Sequence, residues 1–371
     1  MASSPFHFAP EELRRLVEAG GMAPSGGNVQ PWRVLAYPDA LEVGFDLPRA
    51  TSFLDVGRLA SALAVGAFVE NVTIASESFG LGHELALGKG MDESAPLARL
   101  TFSGRRDPAT VWAHPLYPFI PQRVTNRRLH EGPPLDARTI AMLTDAAQDR
   151  EGRCRCVAIG EEAGRREMAR ILGATDALRM FHPELHQQMF AELRWSVEEA
   201  QTTCDGIDVA TLELPQEAIM FLGALRSYDV LARTVPREAI SSLTEQTILG
   251  SSHMGCLTIA TPPEEVPTRQ ALFAAGQALE RLWLTATRLG VALQPWSVLP
   301  FLALRVRHFG AAGFEVDEAA EIGSLIQEMA QALDLSTRET PIFIFRLAHA
   351  PAPSARSLRL PWTHYTARQP A

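Results

Sequence analysis

Residues 23–32 read Ala23-Pro24-Ser25-Gly26-Gly27-Asn28-Val29-Gln30-Pro31-Trp32, and their types and spacing suit close contact with a ligand. Gly26 and Gly27 let the main chain approach a bound group, Ser25 and Asn28 offer short donors and acceptors, and Pro31 stops continuation as a helix. A turn between a helix and a strand uses the same residues, so their chemistry alone leaves both readings open. The second concentration is Arg123-Val124-Thr125-Asn126-Arg127-Arg128, where three guanidinium groups and a hydroxyl precede a helical pattern. Arginine suits bidentate contacts to an anion, although a solvated linker between two halves carries charge equally well. The third, Arg356-Ser357-Leu358-Arg359-Leu360-Pro361, is basic again and on its own reads as a solvated terminus.

These segments need a scaffold, and the composition bounds it. With 371 residues, 46% of them hydrophobic and 21% charged, the chain can bury a sizeable core and has room for two related units. Lys plus Arg number 34 against 43 Asp plus Glu, a net charge of −9, which argues against nucleic acid as a partner. Cys154, Cys156, Cys204 and Cys256 lack paired CxxC spacing and read as ordinary buried thiols. His182 and His186 are four apart, but Pro183 between them and the missing zincin glutamate argue against a metal site. Gly88-Lys89-Gly90 lacks the P-loop spacing, and no GxGxxG follows a strand, so no built-in dinucleotide site is expected. Residues 1–10 show no signal-peptide pattern, and the longest apolar stretches (56–74 and 271–289) carry Arg58, Glu70, Glu280, Arg281 and Arg288. They therefore read as core helices rather than membrane spans, and the location expected is cytoplasmic.

Periodicity predicts helices near residues 11–19, 55–79, 135–148, 162–171, 271–289 and 318–333. Strands are predicted near 33–37, 41–45, 97–102, 155–159, 256–261 and 341–346. The 55–79 and 271–289 helices are both long, apolar and closed by Leu-Gly, and the order helix, strand, helix restarts after the Pro-rich run 114–122. The expected architecture is α+β, with two divergent halves (1–118 and 119–371) forming an internal pseudo-dimer. A helical insertion at about 175–252 sits in the second half as a candidate lid.

Together the three polar segments resemble the nitroreductase superfamily of FMN-dependent oxidoreductases. Pro24 to Trp32 matches every fixed position of that family's Pro-Ser-x-x-Asn-x-Gln-Pro-Trp loop. Arg123, Thr125 and Arg127 match its Arg-x-Ser-x-Lys/Arg helix start with Thr replacing Ser, and Arg359-Leu360-Pro361 matches a basic residue before Leu-Pro near the C-terminus. The long helix ending at Leu289-Gly290-Val291 and leading to Pro295 is similar to the family helix whose following residues face flavin N5, here Trp296, Ser297 and Val298. In family members of about half this length two subunits share each flavin, one giving the loop and the other the arginine pattern. Here the loop lies in the first half and the arginines in the second, so the resemblance implies one complete site and one degenerate site. The chain is similar in this to the double-length subgroup that includes dormancy-associated mycobacterial proteins.

The resemblance implies one FMN per chain, with its phosphate on Arg123, Arg356, Arg359 and Thr125. Arg127 is implied beside flavin N1 and O2, with Ser25, Gly26 and Asn28 at the ribityl chain and ring edge and Pro295, Trp296 and Ser297 near N5. Chemistry at N5 identifies no catalytic side chain and no metal. NADH or NADPH is implied as a transient donor, and the substrate as a small molecule or modified peptide, with no nucleic acid or membrane partner. The protein is then a monomeric pseudo-dimer or a homodimer. A second reading is an FMN storage protein without turnover, in which the insertion closes the ring face and the bulky Trp296 fills the substrate space.

Overall fold

The computed structural model describes residues 6–88, 92–106, 111–149 and 151–369. Residues 1–5 of the N-terminal run, and Lys89 and Gly90 of the Gly-Lys-Gly run, lie outside the described residues. Helix α1 (Pro10–Gly21) starts on proline with Glu11 and Glu12 in its first turn, where carboxylates suit the positive end of a helix. Strands β1 (Trp32–Ala36) and β2 (Ala40–Phe45) pair antiparallel, with Val34 opposite Val43. The apolar helix α2 (Leu59–Ser78) leads to β3 (Leu81–Leu87) and β4 (Ala98–Arg105). Periodicity gives no sign of β3, because this edge strand turns most of its side chains to solvent and so lacks the buried alternation that marks a strand.

The chain continues through α3 (Ala137–Ala146), capped by the Asp136 side chain accepting from Thr139 N, and β5 (Cys154–Ile159). Helix α4 (Glu162–Phe181) runs well past the end expected near residue 171. Gly173 is tolerated inside it, and only Pro183, which forces His182 into extended backbone, terminates it. Thr175 therefore sits mid-helix, its hydroxyl donating to Ile171 O, and the insertion starts later than the sequence suggests. It comprises α5 (Pro183–Ala191), β6 (Leu193–Arg194), α6 (Val197–Thr203), β7 (Ile207–Asp208), α7 (Gln216–Ala224), α8 (Tyr228–Thr234) and α9 (Arg237–Leu249). His182 and His186, weighed above as metal ligands, instead bond Gly313 O and Leu225 O through Nε2.

There follow β8 (His253–Ile259), α10 (Arg269–Arg288), β9 (Ala292–Pro295), α11 (Val298–Leu304), α12 (Val316–Ala332), β10 (Thr340–Ala348), α13 (Trp362–Tyr365) and β11 (Thr366–Arg368). Two main sheets result, in the orders β11-β1-β2-β4-β3 and β5-β8-β10-β9, so the fold is α+β. The last strand belongs to the first sheet: β11 runs parallel to β1, pairing Val34 with Thr366. The tail is thus not the solvated terminus that its basic composition suggests. Leu360 and Tyr365 are buried, and the Tyr365 ring meets Trp32 and Phe68 edge-on.

Helices α2 and α10 cross at the centre with their backbones almost touching. A Cβ on Gly66 would lie 2.0 Å from Phe273 O, and one on Gly276 would lie 1.9 Å from Leu63 O, so glycine is required on both sides of the crossing. An amphipathic helix needs only one buried face, but α2 is apolar all round and is covered all round. The helical stretch Val56–Ser78 is long and apolar enough to cross a membrane, yet 89% of its most apolar window is buried inside the protein.

Candidate functional site

One cavity of about 510 Å³ opens between these central helices, the inner edge of the second sheet and the insertion, and all eleven residues singled out by the motifs line it. The loop reaches it through a short helical turn, Gly26–Asn28, in which Gly27 and Asn28 take φ of 55° and 53°. Nothing stands within 4 Å of a Cβ on Gly26, which leaves its backbone open to the cavity; at Gly27 a Cβ would meet Glu192 Cδ at 2.7 Å. Gln30 also takes a left-handed φ of 53°, a strain on the order of 1 kcal/mol. Three bonds hold it there: Gln30 N donates to Ser25 Oγ (3.0 Å), its Nε2 donates to Cys204 O (2.9 Å), and its Oε1 accepts from Leu360 N (2.9 Å).

Asn28 serves the protein rather than facing the cavity with free groups. Its Nδ2 donates to Gly206 O and Leu358 O, each at 3.0 Å, and its Oδ1 accepts from Arg359 Nη1 at 2.6 Å. The loop, the insertion and the tail are tied together at this one amide. The Ser25 hydroxyl oxygen accepts from Gln30 N and keeps its own O–H to donate. Asn28 thus ties the loop down and aims Arg359, while Ser25 braces Gln30.

The arginines converge from distant parts of the chain. Arg123, 3% exposed, donates to Met22 O (2.5 Å), lies over the Trp283 ring with its Cζ 4.7 Å from the centroid, and has its Nε 3.5 Å from Glu280 Oε1. Arg356 Nη2 donates to Pro121 O (2.6 Å) and Arg123 O (3.0 Å). Glu280 is the one carboxylate in ion contact with this group among the described residues, and Nε of both Arg123 and Arg359 has no hydrogen-bond partner. Burial, and then the charge of Arg123, holds the Arg359 guanidinium down to about 9, while burial pushes the Glu280 carboxyl up to about 7 against the pull of Arg123. Arg127 Nη1 donates to Thr211 O (3.0 Å) in the insertion, and burial lowers its pKa to about 10.

At the other end, Trp296 N donates to Ile344 O (2.7 Å), and the Ser297 hydroxyl both donates to Ile344 O and accepts from Ile344 N, each at 2.9 Å. β10 therefore takes the backbone N–H of Trp296. The Trp296 indole donates to Asp176 Oδ2 (2.8 Å), which also accepts from Thr244 Oγ1 (2.7 Å). Asp176, Arg179 and Glu192 of the insertion side, together with Gln294, are cavity residues that the motifs do not mark. Burial raises the carboxyl pKa of both Asp176 and Glu192. Their signal in the sequence is faint: ionisable residues within otherwise helix-like stretches, and a second Gln-Pro-Trp at residues 294–296.

Asp55, at the cavity rim, accepts from Ser61 N (3.0 Å) and Ser61 Oγ (2.5 Å), and burial pushes its carboxyl up to about 6. A carboxyl that holds its proton more tightly when folded stabilises the fold at low pH, and that stability drains away as pH rises through the folded pKa. Asp55→Asn is expected to remove on the order of 2 kcal/mol of the stability difference between pH 4 and pH 7. Urea midpoints of the two proteins across that range check it; parallel pH curves would contradict the assignment.

The Nitroreductase family model matches residues 8–51, the segment that contains the signature loop. An uncharacterized protein of Mycobacterium tuberculosis is 33% identical over 361 residues, covering 94% of this chain and 47% of the relative. The chain spans about half the length of that curated relative. Among solved structures, an FMN-bound nitroreductase from Bacteroides fragilis aligns with 65% of this chain and 90% of its own at 10% identity and a TM-score of 0.33. One from Desulfitobacterium hafniense, also with FMN bound, aligns with 66% and 93% at 14% identity and a TM-score of 0.35. The segment that matches the Nitroreductase family model thus carries the signature loop, and the fold brings the arginine pattern of the second half against it.

Proposed function

We propose that the chain is an FMN-dependent oxidoreductase that holds one FMN in the arginine-walled cavity and exchanges hydride with a small organic molecule or a modified peptide. The observation that carries this reading is the excess of positive charge on one wall: Arg123 is buried, Arg359 half-buried and Arg356 at the exposed rim. Glu280 is the one carboxylate in ion contact with them among the described residues, and Nε of Arg123 and of Arg359 has no hydrogen-bond partner. Like charges crowded together at a partly buried wall favour an anion that joins them, and a dianionic phosphate matches both the charge and the unused donors. When bound, FMN supplies a hydride donor and acceptor at flavin N5.

The chain's own residues position and insulate that chemistry. Arg123, Arg356 and Arg359 take the phosphate, with the Thr125 hydroxyl as a further donor. Arg127 supplies a cation to the ring edge that gains negative charge on reduction, an electrostatic contribution that requires no proton from the protein. Met189, Leu193 and Leu222 bring apolar groups from the insertion to the cavity wall, where they exclude water and shape the substrate space. The halves 1–118 and 119–371 then form a single-site pseudo-dimer, with NADH or NADPH visiting the open ring face.

The visible spectrum of the purified protein, followed by release and quantification of its cofactor, tests the reading. Flavin bands with about one FMN per chain are expected; a colourless protein that takes up no added FMN would overturn it. Stopped-flow mixing with NADH or NADPH separates turnover from storage, with bleaching of the flavin within seconds expected for an enzyme.

A further inference from the structure

Past Thr340, strand β10 is apolar except at Arg346, which is only 1% exposed within the second sheet. In register it faces Gln294 of β9, and its Nε donates to Gln294 Oε1 at 2.6 Å. Its Nη2 donates to Arg128 O (2.7 Å), while Nη1 has no hydrogen-bond partner. Among the described residues no carboxylate forms an ion contact with it, and the nearby charge it feels is that of Arg127, another cation. A buried guanidinium without a counter-ion costs several kcal/mol, so a position like this calls for a compensating function.

The bond to Gln294 shows where that function lies. Because a guanidinium can only donate, Oε1 of Gln294 must face Arg346, which removes the usual ambiguity of an amide's orientation. Its Nε2 is left without a protein partner among the described residues, and Gln294 lines the cavity beside Pro295. We propose that Gln294, aimed and polarised by Arg346, is a hydrogen-bond donor for the carbonyl-bearing edge of the bound ring system, with the buried Arg346 charge behind it. Arg346 is a positioning residue, and Gln294 makes the contact. The inference rests on the FMN reading and deepens it: the donor and the charge both bind the reduced ring more tightly than the oxidised one, which raises its reduction potential.

The test is the two-electron midpoint potential of FMN bound to the full chain, measured by dye equilibration in the wild type, Gln294→Leu and Arg346→Met. Each substitution is expected to lower the equilibrium constant for reduction at least tenfold, about 30 mV for a two-electron couple. The dissociation constant of reduced FMN should weaken more than that of oxidised FMN. Arg346→Met alters a core position and can cost folding, whereas Gln294→Leu changes a cavity wall and keeps the test open. Midpoints unchanged in flavin-loaded Gln294→Leu would overturn the proposal, as would a shift confined to Arg346→Met. A wild-type protein that binds no FMN would instead sink the reading of the whole site, a distinct result.

Discussion

Gly276→Ala is expected to destabilise the protein by about 3 kcal/mol or more, the upper part of the range for overpacking a core. The new methyl would stand 1.9 Å from Leu63 O, 2.8 Å from Leu63 C and 3.0 Å from Ala67 N, all of them backbone atoms that no rotamer change can move aside. Helices α2 and α10 would have to separate, and both line the cavity, through Leu63, Ala64 and Ala67 on one side and Leu279 and Trp283 on the other. Gly323→Ala in α12 is the matched control, because a methyl added there would find nothing within 4 Å. That control is expected to be neutral or to stabilise by up to about 1 kcal/mol through helix propensity alone. Urea midpoints measured side by side check both, and equal midpoints for Gly276→Ala and wild type would contradict the close crossing.

The second large effect is expected at Arg359. Arg359→Ala removes a guanidinium whose Nη1 is aimed by Asn28 and whose Nε is unused, and it should weaken FMN binding by about 2–3 kcal/mol, or roughly 30- to 150-fold. Quenching of flavin fluorescence on titration gives the dissociation constant directly. Arg359 is the cleaner probe than Arg123, whose loss would leave Glu280 buried without its partner and so mix binding with folding. Arg123→Ala is still expected to lose more flavin than Cys154→Ala, since Cys154 lies outside the cavity. A dissociation constant unchanged by Arg359→Ala would remove the phosphate from this wall.

The parts of the site legible in the sequence are those whose chemistry is local. Ser25 to Trp32 and Arg123 to Arg127 concentrate polar and backbone-special residues within one short run, and such runs stand out against an apolar background. The central helices are legible for a similar reason, since a charge-poor stretch as long as α2 has to be core. Asp176, Glu192, Gln294 and Arg346 are not legible, because each is a single polar residue whose partner lies far away in the chain. Asp176 meets Trp296 across 120 positions and Arg346 meets Arg128 across 218. The one local sign is an arginine inside the run Pro341 to Leu347, a charge that an otherwise apolar strand does not need for pairing. The tail misleads for the converse reason: its arginines look solvated until the loop and the insertion that receive them are in place.

The return of β11 to the first sheet also sets an order of events during synthesis. β1, which emerges early, has to wait for Thr366 before that edge is paired, and Gln30 has to wait for Leu360 N before its strained backbone is held from that side. Contacts separated by almost the whole chain form late and carry a large loop-closure entropy. A chain in which residues 359–368 have not yet been made therefore lacks Arg359, and its first sheet leaves the β1 edge unpaired. Arg359 and the strand that closes this edge thus arrive with the same short stretch of chain, which couples the binding wall to the pairing of the first sheet.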